Sequence, residues 1–387
     1  MKIKNVDIFT PLIIIIVILF YLLLATIGIQ YHMMNLKPVS SITYLYIFYG
    51  ILIFLVGFLL AKIIEKYFFQ KKFDLTSFKT FFDNIENSRY FKEDVVLVFV
   101  LLPMIVQLVN LIFLGGIPLF SGVLKAKSFN IITILSYCLF LVSINFLISK
   151  FYKNRYFLLV FIGIILFAAT GYRATTIAII VSVLITSFYT NENKFKHFII
   201  FTPIIIVLGL LVGYIAAISI EWQHWNVNPL SLVFIRAGFT LTVLDRIVQI
   251  QNSSHGLITQ SILSGFFHLD DPRLVLGQFV YKSPVSYTST IFGPAILDYG
   301  YIGLTIQMLF LGLILELLHY LQKIKNGIYS AFYAMGLAHT MIWVETSPTD
   351  LAVWVYFMIA VVLVINAALS PVAFKNPEHQ NSNGDEN

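Results

Sequence analysis

The sequence predicts an all-α, polytopic integral membrane protein, and three observations predict it. The chain of 387 residues is 59% hydrophobic and only 11% charged, with a mean hydropathy of +0.87, where soluble domains carry about 25% charged residues to solvate their surface. Several apolar runs reach the ~18–20 residues that a helix needs to cross a hydrocarbon core. Those runs do not alternate polar with apolar, as the strands of a membrane barrel would.

Ten spans follow, near 8–29, 42–64, 95–115, 131–149, 156–170, 174–189, 198–220, 299–320, 328–344 and 351–369. The first is too long for a signal-peptide core and lacks a small-residue cleavage site, so it is expected to remain as a span. The run 156–189 needs more thought. As one helix it would be ~50 Å long, against a core of ~30 Å. Two short helices meeting at Gly171 in "TGYRATT" fit better, because glycine permits the tight reversal. Arg173, the one charged residue of that run, then stands at the hairpin tip.

Lysine and arginine counts orient the chain. With the N-terminus inside, 17 fall on the cytoplasmic side and 8 outside, which predicts N-in and C-in. The basic excess, a net +6, therefore reads as topology and not as a nucleic-acid surface. The split by type is more informative: four of the six arginines lie outside, but only four of the nineteen lysines. A guanidinium offers a planar fork of donors matched to phosphate oxygens and keeps its charge, so the outer arginines point to anion recognition. Cys138 is the single cysteine, which leaves no intrachain disulfide and no cysteine metal cluster.

Residues 1–375 read as one transmembrane domain with a large outer loop at about 221–298, and 376–387 as a polar, disordered cytoplasmic tail. Residues 65–94 suggest an interfacial helix. The stretch 229–250 is apolar enough to be an eleventh span. Arg236, Asp245 and Arg246 would each cost about 2.5–3.5 kcal/mol in lipid, so a surface or re-entrant helix is expected. Arg236 and Arg246 are about 80° apart on an ideal helix and could face one cavity. Lipid headgroups or nearby acids offer those arginines an ordinary alternative.

Arg173, Arg236, Arg246 and Arg273 are thus the candidate anion-binding residues. "HGLITQSILSGFFHLDDPR" (255–273) gathers His255, His268 and Asp270 as possible proton acceptors, with Asp-Asp-Pro also a turn in its own right. Asp298, just before the eighth span, is either a cap for that helix or a carboxylate facing the arginines. Glu345 and Asp350 stand in the last outer loop, and His339 reads as a satisfied interhelical bond. No metal-binding pattern occurs.

"GGIPLFSG" (115–122), "TGYRATT" (170–176) and "IFGPAILDYGYIG" (291–303), in that order on outer loops, resemble the repeat-unit polymerases of O-antigen and capsular polysaccharide, the Wzy-type proteins. The resemblance runs from the third span to the ninth. It implies a membrane-embedded, metal-independent glycosyltransferase without cofactor, on the outer face of the bacterial inner (plasma) membrane. Its donor and acceptor would be oligosaccharide repeat units on polyprenyl pyrophosphate, and a chain-length regulator its protein partner. Arg173, Arg236 and Arg246 would contact pyrophosphate, and an acceptor hydroxyl would attack the reducing-end sugar. Some members carry a glycine eleven residues after a loop arginine; here those positions are Leu184, Ile247, Leu257 and Pro284. The first outer loop, "QYHMMNLKPVS", holds no acid of the kind that metal-using relatives place there. A glycan-to-lipid ligase and a flippase of lipid-linked oligosaccharide are the competing readings. A transporter would need polar or broken helices near the midplane, often in two related halves.

Overall fold

The computed structural model describes residues 7–69, 92–128, 130–190, 228–265 and 271–369, with Val207, Leu211, Tyr214 and Ile215. The described residues form helices and no strands. The α-helices are α1 (Ile13–Gln30), α2 (Ser41–Ile64), α3 (Glu93–Phe113), α4 (Gly122–Ser128), α5 (Ile131–Phe151), α6 (Tyr156–Ala168) and α7 (Arg173–Thr190). They continue with α8 (Pro229–Gln249), α9 (Leu257–Ser264), α10 (Pro272–Tyr281), α11 (Gly293–Lys325), α12 (Ile328–Thr346) and α13 (Leu351–Leu369). Nine of the ten expected spans are among them. The tenth, 198–220, lies almost wholly outside the described residues, as do most of 65–94 and the tail 376–387.

Among the described residues seven helices are long and apolar enough to cross a membrane: α1, α2, α3, α5, α7, α11 and α13. The outer helices turn Ile16, Phe20, Leu45, Leu52, Val98, Ile105 and Ile112 outward, a surface that hydrocarbon covers at no cost and water does not. α12 is different because it is the centre. Fourteen of its 19 residues are buried, and α1, α5, α7, α11 and α13 all pack on it. Several of its polar groups bond within the protein, Thr340 to the Gly336 carbonyl at 2.7 Å and His339 to the Met335 carbonyl at 2.8 Å. A helix ringed by protein does not need a lipid-facing composition.

The α6–α7 hairpin turns where the sequence places it. Thr170 Oγ1 closes the end of α6 on the Phe167 carbonyl at 2.6 Å. Gly171 takes φ 78°, a left-handed value that costs glycine little, and α7 opens at Arg173. α2 and α11 run together because two glycines let their backbones touch. A Cβ on Gly57 would strike the Leu309 carbonyl, and one on Gly312 the Phe54 carbonyl. Such small-residue contacts replace the hydrophobic force that helices lack in lipid. α11 is broken at Tyr299 and Gly300, where Gly300 has φ 58° and ψ −141°. Its short first arm folds back along the long one, and Gln307 Nε2 reaches the Ile291 carbonyl at 2.7 Å.

Of the two forms expected for 229–250, a surface or a re-entrant helix, the surface one does not hold, and the helix is not among those long and apolar enough to cross a membrane. α8 has ten of its 21 residues buried and lies against α1 and α11. The charges that argued against burial have partners: Asp245 Oδ1 accepts from Ser40 N at 2.9 Å and from Thr43 Oγ1 at 2.7 Å, fastening α8 to the start of α2.

Helix ends gather into two groups. At one end Glu93 pairs with Lys153 and Arg155, Ser149 Oγ meets the Gly327 carbonyl at 2.5 Å, and Asp7 ties Tyr189, His319 and Lys323 together. Burial pushes the Asp7 carboxyl up, but hydrogen bonds from His319, Lys323 and Tyr189 outweigh it and hold the group ionised. At the other end Asn110 meets Thr133 at 2.8 Å, Leu119 N meets the Ala169 carbonyl at 2.9 Å, and the loops carrying the arginines converge. Replacing Gly312 by leucine is expected to force α2 and α11 apart and to lower stability by about 1–3 kcal/mol, read as a falling Tm of the detergent-solubilised protein.

Candidate active site

Three helices deliver the central pair of arginines and their counter-ion. Arg173 opens α7, Arg236 lies on α8 and Glu345 ends α12. Arg173 Nη2 makes a hydrogen-bonded ion pair with Glu345 Oε1, and Arg236 Nε approaches the same oxygen at 3.6 Å. That second approach is too long for a hydrogen bond, and Arg236 Nε has no hydrogen-bond partner among the described residues. One carboxylate thus serves two guanidiniums, leaving a positive charge over. All three side chains keep an open side, with 25% of Arg173, 35% of Arg236 and 28% of Glu345 accessible.

Lys125 on α4 adds a further cation. Its ammonium lies 5.6 Å from the centroid of the Tyr172 ring, and Tyr172 Oη donates to the Lys125 carbonyl at 3.1 Å. Burial lowers the Lys125 pKa, and the charges of Arg173, Arg236 and Arg273 lower it further, to about 8. Desolvation disfavours the ammonium form, and three neighbouring cations disfavour it again.

Arg273, on the first turn of α10, completes the group. Its Nε is 2.9 Å and 3.2 Å from the two oxygens of Asp271, which also caps α10 through Arg273 N at 3.0 Å. Burial raises the Asp271 carboxyl, but the charge of Arg273 and its hydrogen bonds bring it below the usual range. Beneath this pair lies a cavity of about 170 Å³, lined by Thr133, Tyr172, Thr175, Arg273, Trp343, Thr346, Thr349 and Asp350, among others. Asp350 is open to the cavity yet enclosed by protein around it; burial pushes its pKa up, against the pull of Arg273. Trp343 Nε1 is buried there without a hydrogen-bond partner among the described residues.

The corner between Glu345 and Asp350 is held firmly. Ser347 has φ 74° and ψ 152°, a region that strains any residue but glycine. Its hydroxyl is fixed by Ser289, whose backbone N–H donates to it at 2.8 Å and whose carbonyl accepts from it. His339 lines the cavity as a satisfied residue, as expected. Its Nδ1 lies 2.8 Å from the Met335 carbonyl, so Nδ1 carries the proton, and Nε2 accepts from Tyr137 Oη at 3.0 Å.

The other candidates stand elsewhere. Arg246 is exposed on the last turn of α8, with Gln249 Oε1 3.4 Å from its Nη1. Its angle around the helix suits a shared cavity with Arg236, but ten residues of helix rise separate the two by about 15 Å. Asp298 is 1% exposed. Its oxygens accept from Ser254 Oγ at 2.6 Å, Ile258 N at 3.0 Å, Thr259 N at 2.7 Å and Thr259 Oγ1 at 2.6 Å. It therefore caps α9, the helix before it, and its lone pairs are occupied. His255 is exposed, in a left-handed turn at φ 47°. His268 and Asp270 lie outside the described residues. Among the described residues no group of three or more histidines, cysteines or acids could hold a metal ion. Sequence reasoning gave no role to Lys125 and missed Glu345 as the partner of the arginines. The two acids in "WVETSPTD", in the loop facing the hairpin arginine, were the available signal.

The described residues thus form a bundle of membrane-length helices, one of them broken, with a cluster of cations and a cavity at one end. The chain belongs to the O-antigen polymerase family: residues 7–357 match the family described as "Putative O-antigen polymerase". Two uncharacterized proteins of Methanocaldococcus jannaschii are similar. One is 29% identical over 267 residues, covering 67% of this chain and 73% of its own. The other is 29% identical over 233 residues, covering 60% and 55%, so the chain spans little more than half of that relative. No solved structure matches. Replacing Asp298 by alanine is expected to cost about 2–4 kcal/mol, with the 250–265 segment opening to protease; a fall in activity at unchanged Tm would instead place the carboxylate in the chemistry.

Proposed function

We propose that this protein joins oligosaccharide repeat units carried on polyprenyl pyrophosphate, by glycosyl transfer on the outer face of the plasma membrane. The observation that carries the reading is the convergence of Arg173, Arg236, Arg273 and Lys125 from four separate segments, with Arg273, and Tyr172 and Ala174 on either side of Arg173, lining the neighbouring cavity. Diphosphate leaves a sugar with added negative charge, and cations already fixed in place stabilise that charge without reorganising. The guanidiniums and the ammonium would thereby do the work of a divalent ion.

The cavity suits an acceptor sugar. Tyr172 and Trp343 line it with aromatic side chains, and Thr175, Thr346 and Thr349 with hydroxyl-bearing ones. Asp350 opens onto the same space with a raised pKa, which makes it a stronger base than an ordinary carboxylate once ionised. It is the proposed acceptor of the attacking hydroxyl's proton. His255 is the alternative among the described candidates, and Asp298 is assigned to holding α9. The carrier lipid would lie along the apolar outer face of the bundle. A chain-length regulator is the protein partner this reading implies.

A deletion strain tests the class directly: single repeat units per lipid mark a polymerase, and a bare core marks a ligase. In that strain the wild-type gene should restore a ladder of long chains, in membranes assayed with EDTA as well as without. Arg173→Ala should lower polymerisation by about 10²–10³-fold while still inserting, and Arg173→Lys should fail too if the two-pronged grip matters. Asp350→Asn should lower the rate by about 10²-fold or more. It should also remove the rise of rate with pH that ionisation of a raised-pKa acid produces; an unchanged profile would exclude Asp350 as the base.

A further inference from the structure

We propose that Glu345 occupies, in the empty enzyme, the seat of the donor's diphosphate, so that donor binding is an exchange of one anion for another. The proposal rests on the diphosphate reading of Arg173 and Arg236 and adds a residue to it.

The geometry is that of an incomplete match. Glu345 Oε1 alone meets both arginines: it binds Arg173 directly and stands 3.6 Å from Arg236 Nε, which has no hydrogen-bond partner among the described residues. A carboxylate is too small to span two guanidinium forks that approach it from different helices. A diphosphate has more oxygens, more widely spaced, and carries two negative charges where the carboxylate carries one, so it can satisfy both forks. Glu345 is also placed to leave. It lies in the last turn of α12, and 28% of its side chain is accessible.

The carboxylate has a purpose in the empty state. Arg173, Arg236 and Lys125 would otherwise face one another with no anion between them, and their repulsion would spread the site. Glu345 keeps them gathered until substrate arrives. The cost is paid in affinity, because each donor must displace it. A structural ion pair and an exchangeable one then predict opposite signs for the same substitution.

The experiment uses the full chain in detergent or nanodiscs, with farnesyl diphosphate as the probe and inorganic pyrophosphate as a second ligand. Glu345→Gln removes the competing charge at nearly constant shape. It should bind farnesyl diphosphate about 5–10-fold more tightly than wild type, within the range of ordinary coupling between sites. Glu345→Asp, whose shorter arm holds the arginines less well, should bind more tightly too and covers the case in which the glutamine variant does not fold. Weaker or unchanged binding in a folded variant would overturn the proposal and leave Glu345 as a structural partner. Arg173→Ala and Arg236→Ala separate the two claims. If both bind the probe as well as wild type, the diphosphate reading itself falls; if they lose binding while the Glu345 variants gain none, only the exchange falls.

Discussion

The shared carboxylate of Glu345 is the interaction on which the arrangement of this end of the protein depends. Two guanidiniums in a membrane protein need a counter-charge, and here they find one in common. Meeting that need brings the start of α7, the first half of α8 and the end of α12 to one point. It also accounts for α12 as the central helix: the helix that carries the carboxylate must be reachable from both arginine-bearing elements, and both α7 and α1, the helix α8 lies on, pack against it. Tyr21 of α1 lies close enough to the cluster to feel all three charges.

Acidic residues are used in two distinct ways around this point. Asp245 and Asp298 fasten helices, each accepting several donors from a segment far away in sequence. Glu345, Asp271 and Asp350 instead keep an open side toward the arginines or the cavity. The first group fastens α8 and α9 to the bundle; the second sets the charge beside them. A carboxylate that already holds backbone N–H groups is poor at taking a proton, because those bonds stabilise its ionised form.

The helices were legible because hydropathy is local: nine expected stretches, from α1 to α13, reappear as helices. The hairpin at Gly171 and the placing of Arg173 were legible for the same reason, since a run too long for one span must turn at its glycine. What failed was non-local. The burial of α8 was hidden because the partners of Arg236 and Asp245 are Glu345 and the Ser40–Thr43 turn. Asp298 was expected to cap the helix that follows it or to face the arginines, whereas it caps the helix before it. Arg246 was placed by angle around the helix, and rise along it was left out. Glu345 stood in plain view at the far end of the chain, but sequence alone does not say which arginine an acid will meet.

The distance between Arg173 and Glu345 along the chain has a consequence for how the protein is made. They are 172 residues apart, so at roughly 5–20 residues per second a ribosome completes the acid about 10–30 s after the base. For that interval the newly inserted α6–α7 hairpin holds an uncompensated cation at its tip, where water or lipid phosphates must serve until α12 arrives. Nascent chains stopped before Glu345 should therefore be the form on which quality-control proteases act.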